Sequence, residues 1–126
     1  MQIIIVDDQA VFRRSLKMIL QRMHPESDIS EAENGKVFLD IARIKKPDLV
    51  FMDINMPVMD GFKATNLILE EYPDLKIICI SMHDNYEYKL KMEQAGASAF
   101  LNKGMSRQQL SETIKSVMND KKCFDA

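Results

Sequence analysis

The sequence LVFMDINMPVMDG at residues 49–61 combines a strand, a carboxylate and a loop in close succession. Its first four residues, 49–52, are all apolar, which is typical of a short strand buried on both faces of a parallel sheet. Asp53 follows directly, and Pro57 and Gly61 then indicate a loop that leads to a helix. The segment therefore predicts a buried strand that ends on a carboxylate, followed by a loop whose geometry depends on Pro57 and Gly61.

The same alternation of apolar strand, polar loop and helix continues in both directions from this segment. The predicted strands occupy residues 3–6, 28–33, 49–52, 75–80 and 99–101. The predicted helices occupy about residues 10–23, 37–44, 60–71, 84–95 and 106–118. Helical spacing of apolar residues predicts one buried face in the second helix, made of Val37, Phe38, Ile41 and Ile44. Residues 84–87 and 106–109 have the spacing of capping boxes at the starts of the last two helices.

Five strands that alternate with five helices predict a doubly wound α/β fold, with a five-stranded parallel sheet of the flavodoxin-like type. Parallel strands need crossover connections, and right-handed crossovers place helices on both faces of the sheet. The alternation does not fix the order of the strands. The chain of 126 residues is long enough to bury a core without disulfides or metal. We expect one domain over residues 1–119, and a polar tail or the start of a linker over residues 120–126.

The composition is that of an ordinary globular domain, with 46% hydrophobic and 29% charged residues. The formal net charge of −2 gives no broad positive field for binding nucleic acid or an anionic membrane. Cys79 and Cys123 lack the spacing of a metal site, and two isolated thiols suit a reducing compartment. No apolar run approaches the ~18 residues of a membrane span. We therefore expect a cytoplasmic protein without a membrane partner.

Polar residues follow four of the predicted strands at the point where each strand ends. These residues are Asp7, Asp8, Asp53, Ser81 and Lys103. In open α/β sheets, ligands bind at this edge. Three carboxylates gathered there repel one another by about 4 kcal/mol per pair at ~4 Å and an effective dielectric of ~20. The lysine and one bound Mg²⁺ or Mn²⁺ ion neutralise them, and a hard divalent ion prefers oxygen ligands.

This set of side chains contains the parts that phosphoryl transfer requires, namely an oxygen nucleophile, a metal and donors for the remaining oxygens. Asp53 is the predicted nucleophile and phosphoacceptor. Asp8, Asp53 and the main-chain carbonyl of Asn55 are predicted to hold the metal, with Asp7 acting largely through water. Two donors are predicted to contact the other phosphoryl oxygens, the Ser81 hydroxyl and the Lys103 ammonium.

The sequence resembles the CheY-like receiver domains of two-component response regulators over essentially its whole length. The matching pieces are Val6-Asp7-Asp8, residues 53–61, Ser81 and Lys103. Within this family, residues 81–84 and 96–104 resemble the NarL/FixJ (LuxR-type) branch. Members of that branch usually carry a helix-turn-helix DNA-binding domain after the receiver, which residues 1–126 do not contain.

The resemblance implies a phosphoprotein that receives its phosphoryl group from a sensor histidine kinase or a phosphotransfer protein. It implies slow self-phosphorylation and self-dephosphorylation instead of enzymatic turnover. The hydroxyl of Ser81 and the aromatic ring of Phe100 are the expected switch, which alters the face formed by the fourth helix, fifth strand and fifth helix. Homodimerisation on phosphorylation is a further expectation. Two residues depart from relatives: Gly104 stands where many have proline, and Phe100 lacks a tyrosine hydroxyl.

The resemblance also implies an output in transcription, with DNA bound only through a further domain outside this chain. A stand-alone receiver that acts through protein contacts is the alternative.

Two other functions fit the sequence poorly. A phosphatase of the haloacid-dehalogenase type needs an acid two positions after the nucleophile, where this chain has Asn55, and a carrier of FMN needs a Ser/Thr- and Gly-rich loop where it has Asp7-Asp8-Gln9. His83 is expected near the site without a catalytic role.

Overall fold

The computed structural model describes residues 1–124 as five parallel strands and five helices in strict alternation. In chain order these elements are β1 (Gln2–Val6), α1 (Ala10–Met23), β2 (Asp28–Ala32), α2 (Gly35–Lys45), β3 (Leu49–Asp53), α3 (Gly61–Glu71), β4 (Lys76–Ser81), α4 (Tyr86–Gln94), β5 (Ala99–Asn102) and α5 (Arg107–Met118). The strand order in the sheet is β2-β1-β3-β4-β5, and every pairing is parallel. The predicted doubly wound fold is confirmed, and the order of the strands is new information.

The core lies on both faces of the sheet, which explains why the central strands are apolar at every position. All five residues of β3 are buried. On one face the sheet packs against α2, α3 and α4 through residues such as Phe38, Ile68 and Met92. On the other face it packs against α1 and α5 through residues such as Leu20 and Ile114. With helices on both faces, the carboxyl ends of the strands form an open edge between the two layers.

The predicted apolar face of α2 is wrong at one residue. Ile44 is 81% exposed, whereas Phe38, Leu39 and Ala42 are buried. At about 100° per residue, Ile44 points away from the side of the helix that these three residues share. Because Ile44 lies in the last turn, its exposure leaves the core intact.

The two predicted capping boxes have different outcomes. Ser106 caps α5 in a complete capping box with Gln109, as predicted. The cap of α4 is instead Asn85, whose side chain accepts a hydrogen bond from the Tyr88 amide at 3.2 Å. Asp84 forms an ion pair with Lys89, so its carboxylate is engaged outside the helix terminus.

The backbone turns back after α5 and runs along the free edge of β5. Asp120 has a left-handed φ of 61° at the turn. The Cys123 amide donates to the Ser98 carbonyl at 2.9 Å, and the Phe100 amide donates to the Cys123 carbonyl at 3.1 Å. Residues 121–124, hereafter the edge segment, thus add a short parallel pairing to the sheet.

The predicted tail, residues 120–126, is described as far as Phe124, and residues 125 and 126 lie outside the described residues. Lys121 and Lys122 are exposed, whereas Cys123 and Phe124 are half-buried. The division between a receiver over residues 1–119 and a following linker stays a prediction. Within the described residues 1–124, no helix has both the length and the apolar character that crossing a membrane requires.

Candidate functional site

The carboxyl ends of β1, β3, β4 and β5 meet at one edge of the sheet because these strands are consecutive neighbours. A pocket of about 210 Å³ opens at this edge. It is lined by Asp8, Gln9, Asp53, Asn55, Ser81, Met82, His83 and Lys103. The structure therefore brings together residues from four separate strand ends.

Three carboxylates converge beside this pocket. One oxygen from each of Asp7, Asp8 and Asp53 lies within 4.8 Å of the other two. Asp7 is fully buried and Asp53 is 6% exposed, whereas Asp8 is exposed and leaves the cluster open to solvent. An all-oxygen, largely buried set of anions with one open side matches the ligand preference of a hard divalent cation such as Mg²⁺. The side chains present therefore fit the predicted metal.

Lys103 supplies the positive charge in this cluster. Its ammonium lies 2.7 Å from Oδ2 of Asp7 and 3.6 Å from Oδ1 of Asp53. It also donates to Oε1 of Gln9 at 2.9 Å and lies 4.8 Å from the centre of the Phe12 ring. Although Oδ2 of Asp7 is close to this ammonium, it accepts no well-aligned hydrogen bond from the described residues. Apart from its ion pair with Lys103, that oxygen can therefore still accept a hydrogen bond from water or bind a metal ion.

The electrostatics of the cluster act most strongly on Asp53. Burial and then the negative charge of Asp7 raise the pKa of Asp53 to about 7, and the positive charge of Lys103 opposes them in part. The Ile54 amide also favours the ionised form by donating to Oδ1 at 3.0 Å. In the absence of a metal the protonated form of this carboxyl group is thus favoured to a higher pH than in an exposed aspartate. A nucleophilic carboxylate must be ionised, so an additional cation at this site favours the reactive form.

The loop after Asp53 needs glycine at its end because it folds against the strand it leaves. A Cβ atom on Gly61 comes within 2.1 Å of the Asp53 carbonyl oxygen, and the Gly61 amide donates to the Ile54 carbonyl at 2.8 Å. Between them, the Met59 amide donates to the Pro57 carbonyl at 2.7 Å, so Pro57 and Gly61 serve the geometry of the loop.

The two switch residues predicted from the sequence lie on adjacent strands. Ser81 is 2% exposed, and its hydroxyl oxygen accepts a hydrogen bond from the His83 amide at 3.1 Å. Phe100 is 6% exposed and belongs to the core cluster on the α4 face, with the Lys89 ammonium 5.5 Å from its ring centre. Phe100 does not line the pocket itself. Its predicted switching role thus requires a change in side-chain position.

Two residues that contact the site were not identified from the sequence. Gln9 reaches Lys103 across 94 positions of chain, and Arg13 donates hydrogen bonds to the Asp7 carbonyl oxygen and to the Glu31 carboxylate. Gln9 directly follows the acidic pair and Arg13 lies in the helix that begins next to it, which is the only local signal for them. Polar residues at the start of a helix are common for other reasons, so the signal is weak.

The fold and this site define a class of α/β signalling domains that have an acidic pocket at the carboxyl edge of a doubly wound sheet. The chain belongs to the response regulator receiver domain family, which matches residues 3–115. It is 38% identical over 117 residues to the transcriptional regulatory protein DegU of Brevibacillus brevis, an alignment that covers 92% of this chain and 49% of the relative. The chain spans about half the length of the curated relatives it matches.

Solved structures agree with this assignment. A LuxR-family two-component response regulator from Aurantimonas sp. SI85-9A1 has a TM-score of 0.90 and 26% identity, covering 98% of this chain and 88% of that one. The CheX-CheY-BeF3-Mg+2 complex from Borrelia burgdorferi has a TM-score of 0.85 and 25% identity, covering 92% and 87%. The chain is therefore a receiver domain with relatives in the NarL/FixJ (LuxR-type) branch.

Proposed function

We propose that this receiver accepts a phosphoryl group on Asp53 from a histidine kinase or a phosphotransfer protein. One observation carries the proposal. The Asp53 carboxylate lines a solvent-accessible pocket, with the Lys103 ammonium 3.6 Å away and two further carboxylates within 4.8 Å. Such a site combines a nucleophile with the charges that phosphoryl transfer needs.

The proposed step is an attack by an Asp53 oxygen on phosphorus. One P–O bond forms to the carboxylate, and the P–N bond to the donor imidazole breaks. The electron pair of that bond passes to the imidazole nitrogen, which takes a proton from solvent. The leaving group needs no acid from this chain, which agrees with the presence of Asn55 two positions after Asp53 instead of an aspartate.

Asp8, Asp53 and the main-chain carbonyl of Asn55 would hold Mg²⁺ or Mn²⁺, with Asp7 contributing largely through water. When bound, the ion supplies positive charge to the transferred oxygens. Lys103 pairs with Asp7 at 2.7 Å in the resting site, and a small displacement brings its ammonium to a phosphoryl oxygen on Asp53. The Ser81 hydroxyl is the proposed donor to another of those oxygens.

The proposed output of the site is a change in the face formed by α4, β5 and α5. Movement of the Ser81 hydroxyl toward the phosphoryl group opens space into which Phe100 turns. The helix beside it is weakly held, since Met92 is the single buried residue of α4. Such a helix can adopt two packings that differ by a few kcal/mol, and phosphorylation then shifts their populations.

The proposed role of the whole protein is control of transcription in the cytoplasm through a DNA-binding domain that follows this receiver. The support is that the chain spans about half of relatives such as DegU, which is named as a transcriptional regulatory protein. Homodimerisation on phosphorylation belongs to the same proposal. The sequence of the gene beyond codon 126, followed by DNA binding of the longer product, tests it.

Phosphorylation itself is tested with a small phosphodonor and Mg²⁺, followed by intact-mass measurement. The wild type should gain one phosphoryl mass and Asp53→Asn none. Asp74→Asn, which removes an exposed carboxylate at the opposite edge of the sheet, should be labelled like the wild type. Equal labelling of Asp53→Asn and wild type would show that another residue is the acceptor.

A further inference from the structure

The outer edge of β5, which no other strand of the sheet covers, is paired with a segment of this same chain. An edge strand presents unpaired N–H and C=O groups that attract another strand. Here the edge segment takes that place, since the Phe100 amide donates to the Cys123 carbonyl and the Cys123 amide donates to the Ser98 carbonyl. Ala99 and Cys123 are the paired residues of this parallel contact.

Side chains of the edge segment add to both core layers. Cys123 packs against the cluster on the α1 and α5 face. Phe124 packs against the cluster on the opposite face, the same cluster that contains Phe100 and Met92. Because side chains alternate along paired strands, Phe124 lies on the same face of the sheet as Phe100. The segment is thus docked by apolar contacts as well as by backbone hydrogen bonds.

The turn that precedes the edge segment is held in place independently. Asp120 forms an ion pair with Lys76 at the start of β4, and its amide donates to the Val117 carbonyl at 3.0 Å. The Lys121 amide donates to the Ser116 carbonyl at 2.9 Å. These contacts direct the chain from the end of α5 toward the edge of β5.

We infer that the outer edge of β5 is a strand-addition surface occupied by the edge segment of this chain, and that Phe100 links its occupancy to the state of Asp53. The link rests on the function proposed above. Phe100 is already buried in the cluster against which Phe124 packs, so a movement of its ring toward Ser81 changes the contacts on which docking depends, and docking of the segment weakens. By reciprocity, docking of the segment opposes this movement of Phe100. Any partner that pairs with β5 must displace residues 121–124.

Docking is tested in the free 126-residue protein by amide hydrogen exchange at Phe100. Cys123→Pro removes the amide that donates to Ser98, whereas the matched control Cys123→Ala keeps it. The Phe100 amide should exchange at least about tenfold faster in Cys123→Pro than in Cys123→Ala, because freeing a backbone hydrogen bond exposes its N–H to water. Phe124→Ala should show an intermediate rate. Equal protection of Phe100 in all three variants would overturn the inference.

The link to Asp53 is tested by repeating the exchange with Mg²⁺ and beryllofluoride as a phosphoryl mimic. Shifts of the Ser81 and His83 amide resonances report binding independently of the edge segment. With binding established, Phe100 should lose protection in the wild type, and Phe124→Ala should bind beryllofluoride several-fold more tightly. Unchanged protection and affinity would overturn the link. Unshifted Ser81 and His83 resonances would overturn the proposed function and the link with it, while the exchange in the free protein still decides the docking.

Discussion

Lys103 is paired with Asp7 in this structure and not with the proposed phosphoacceptor, since its ammonium lies 2.7 Å from Oδ2 of Asp7 and 3.6 Å from Oδ1 of Asp53. The side chains of Lys103 and Asp7 are 4% and 0% exposed. Attraction between charges is stronger in such a site than at the surface, and loss of one partner leaves the other charge buried without compensation. Removal of Lys103 alone should therefore destabilise the fold, in addition to its effect on the proposed phosphoryl transfer.

Replacement of Lys103 by methionine should lower the free energy of unfolding in EDTA at neutral pH. The loss should approach the ~3–5 kcal/mol typical of breaking a buried pair, reduced because the site is open to water beside Asp8. Urea unfolding measures the change.

Two variants accompany this measurement. Lys121→Met removes an exposed charge and should leave stability within about 0.5 kcal/mol of the wild type. Adding Asp7→Asn to Lys103→Met should recover much of the loss, because the uncompensated carboxylate is then gone. A double variant as unstable as Lys103→Met alone would contradict this account.

Asp53 should make the metal-free protein less stable as the pH rises. Burial and the charge of Asp7 raise its pKa to about 7 in the folded state, against about 3.9 for an unfolded aspartate. The folded state therefore binds more protons than the unfolded state between those values. The stability contributed by this proton is fully present below about pH 4 and is lost as the pH rises through 7.

Asp53→Asn should accordingly raise the Tm in EDTA, by a larger amount at pH 8 than at pH 5. A gain of about 1 kcal/mol corresponds to roughly 3–6 °C for a domain of this size. Mg²⁺ should stabilise the wild type more than the variant, because the variant lacks one of the proposed charged ligands. A Tm difference that is independent of pH would show that Asp53 does not titrate near neutrality.

The strand ends that form this site could be predicted because each depends on a short local pattern. The apolar run at residues 49–52 followed by Asp53 fixes both a buried strand and the position of its carboxylate. Contacts between distant residues have no such local signal. Gln9 meets Lys103 over 94 positions, and the edge segment contains only Cys123 and Phe124 as apolar residues after two exposed lysines. The pairing of the edge segment with β5 depends on tertiary contacts, which a local sequence pattern does not predict.

Thr65→Val should stabilise the protein. Thr65 is fully buried in α3, and its hydroxyl has no hydrogen-bond partner among the described residues 1–124. A buried hydroxyl without a partner retains its desolvation penalty, so replacement by an apolar group of the same shape should gain about 1 kcal/mol. Thr113→Val, at a threonine that is 8% exposed and not fully removed from water, should gain less. Thermal unfolding of both variants decides the matter, and a loss of stability in Thr65→Val would reveal an unseen partner.

Gly61→Ala should disturb both the fold and the proposed chemistry, because a Cβ at this position comes 2.1 Å from the Asp53 carbonyl oxygen. Since backbone cannot rotate away as a side chain can, the loop or the end of β3 must move. Overpacking of this kind typically costs about 1–3 kcal/mol, and contact with backbone atoms places this position toward the upper end. A displacement of Asp53 by about 1 Å should slow phosphorylation by a small phosphodonor on the order of 100-fold.

Gly104→Ala is the matched control for this substitution. It also lies beside the site, but its added Cβ meets only the Asn102 side-chain oxygen, at 3.2 Å, and that side chain is exposed. The free energy of unfolding should change little and the phosphorylation rate should stay within a few-fold of the wild type, because the Asn102 side chain can shift aside. Equal effects at positions 61 and 104 would mean that any added methyl group near the pocket is harmful. A large effect at position 61 alone would show that the backbone of β3, which carries the proposed phosphoacceptor, requires glycine beside it.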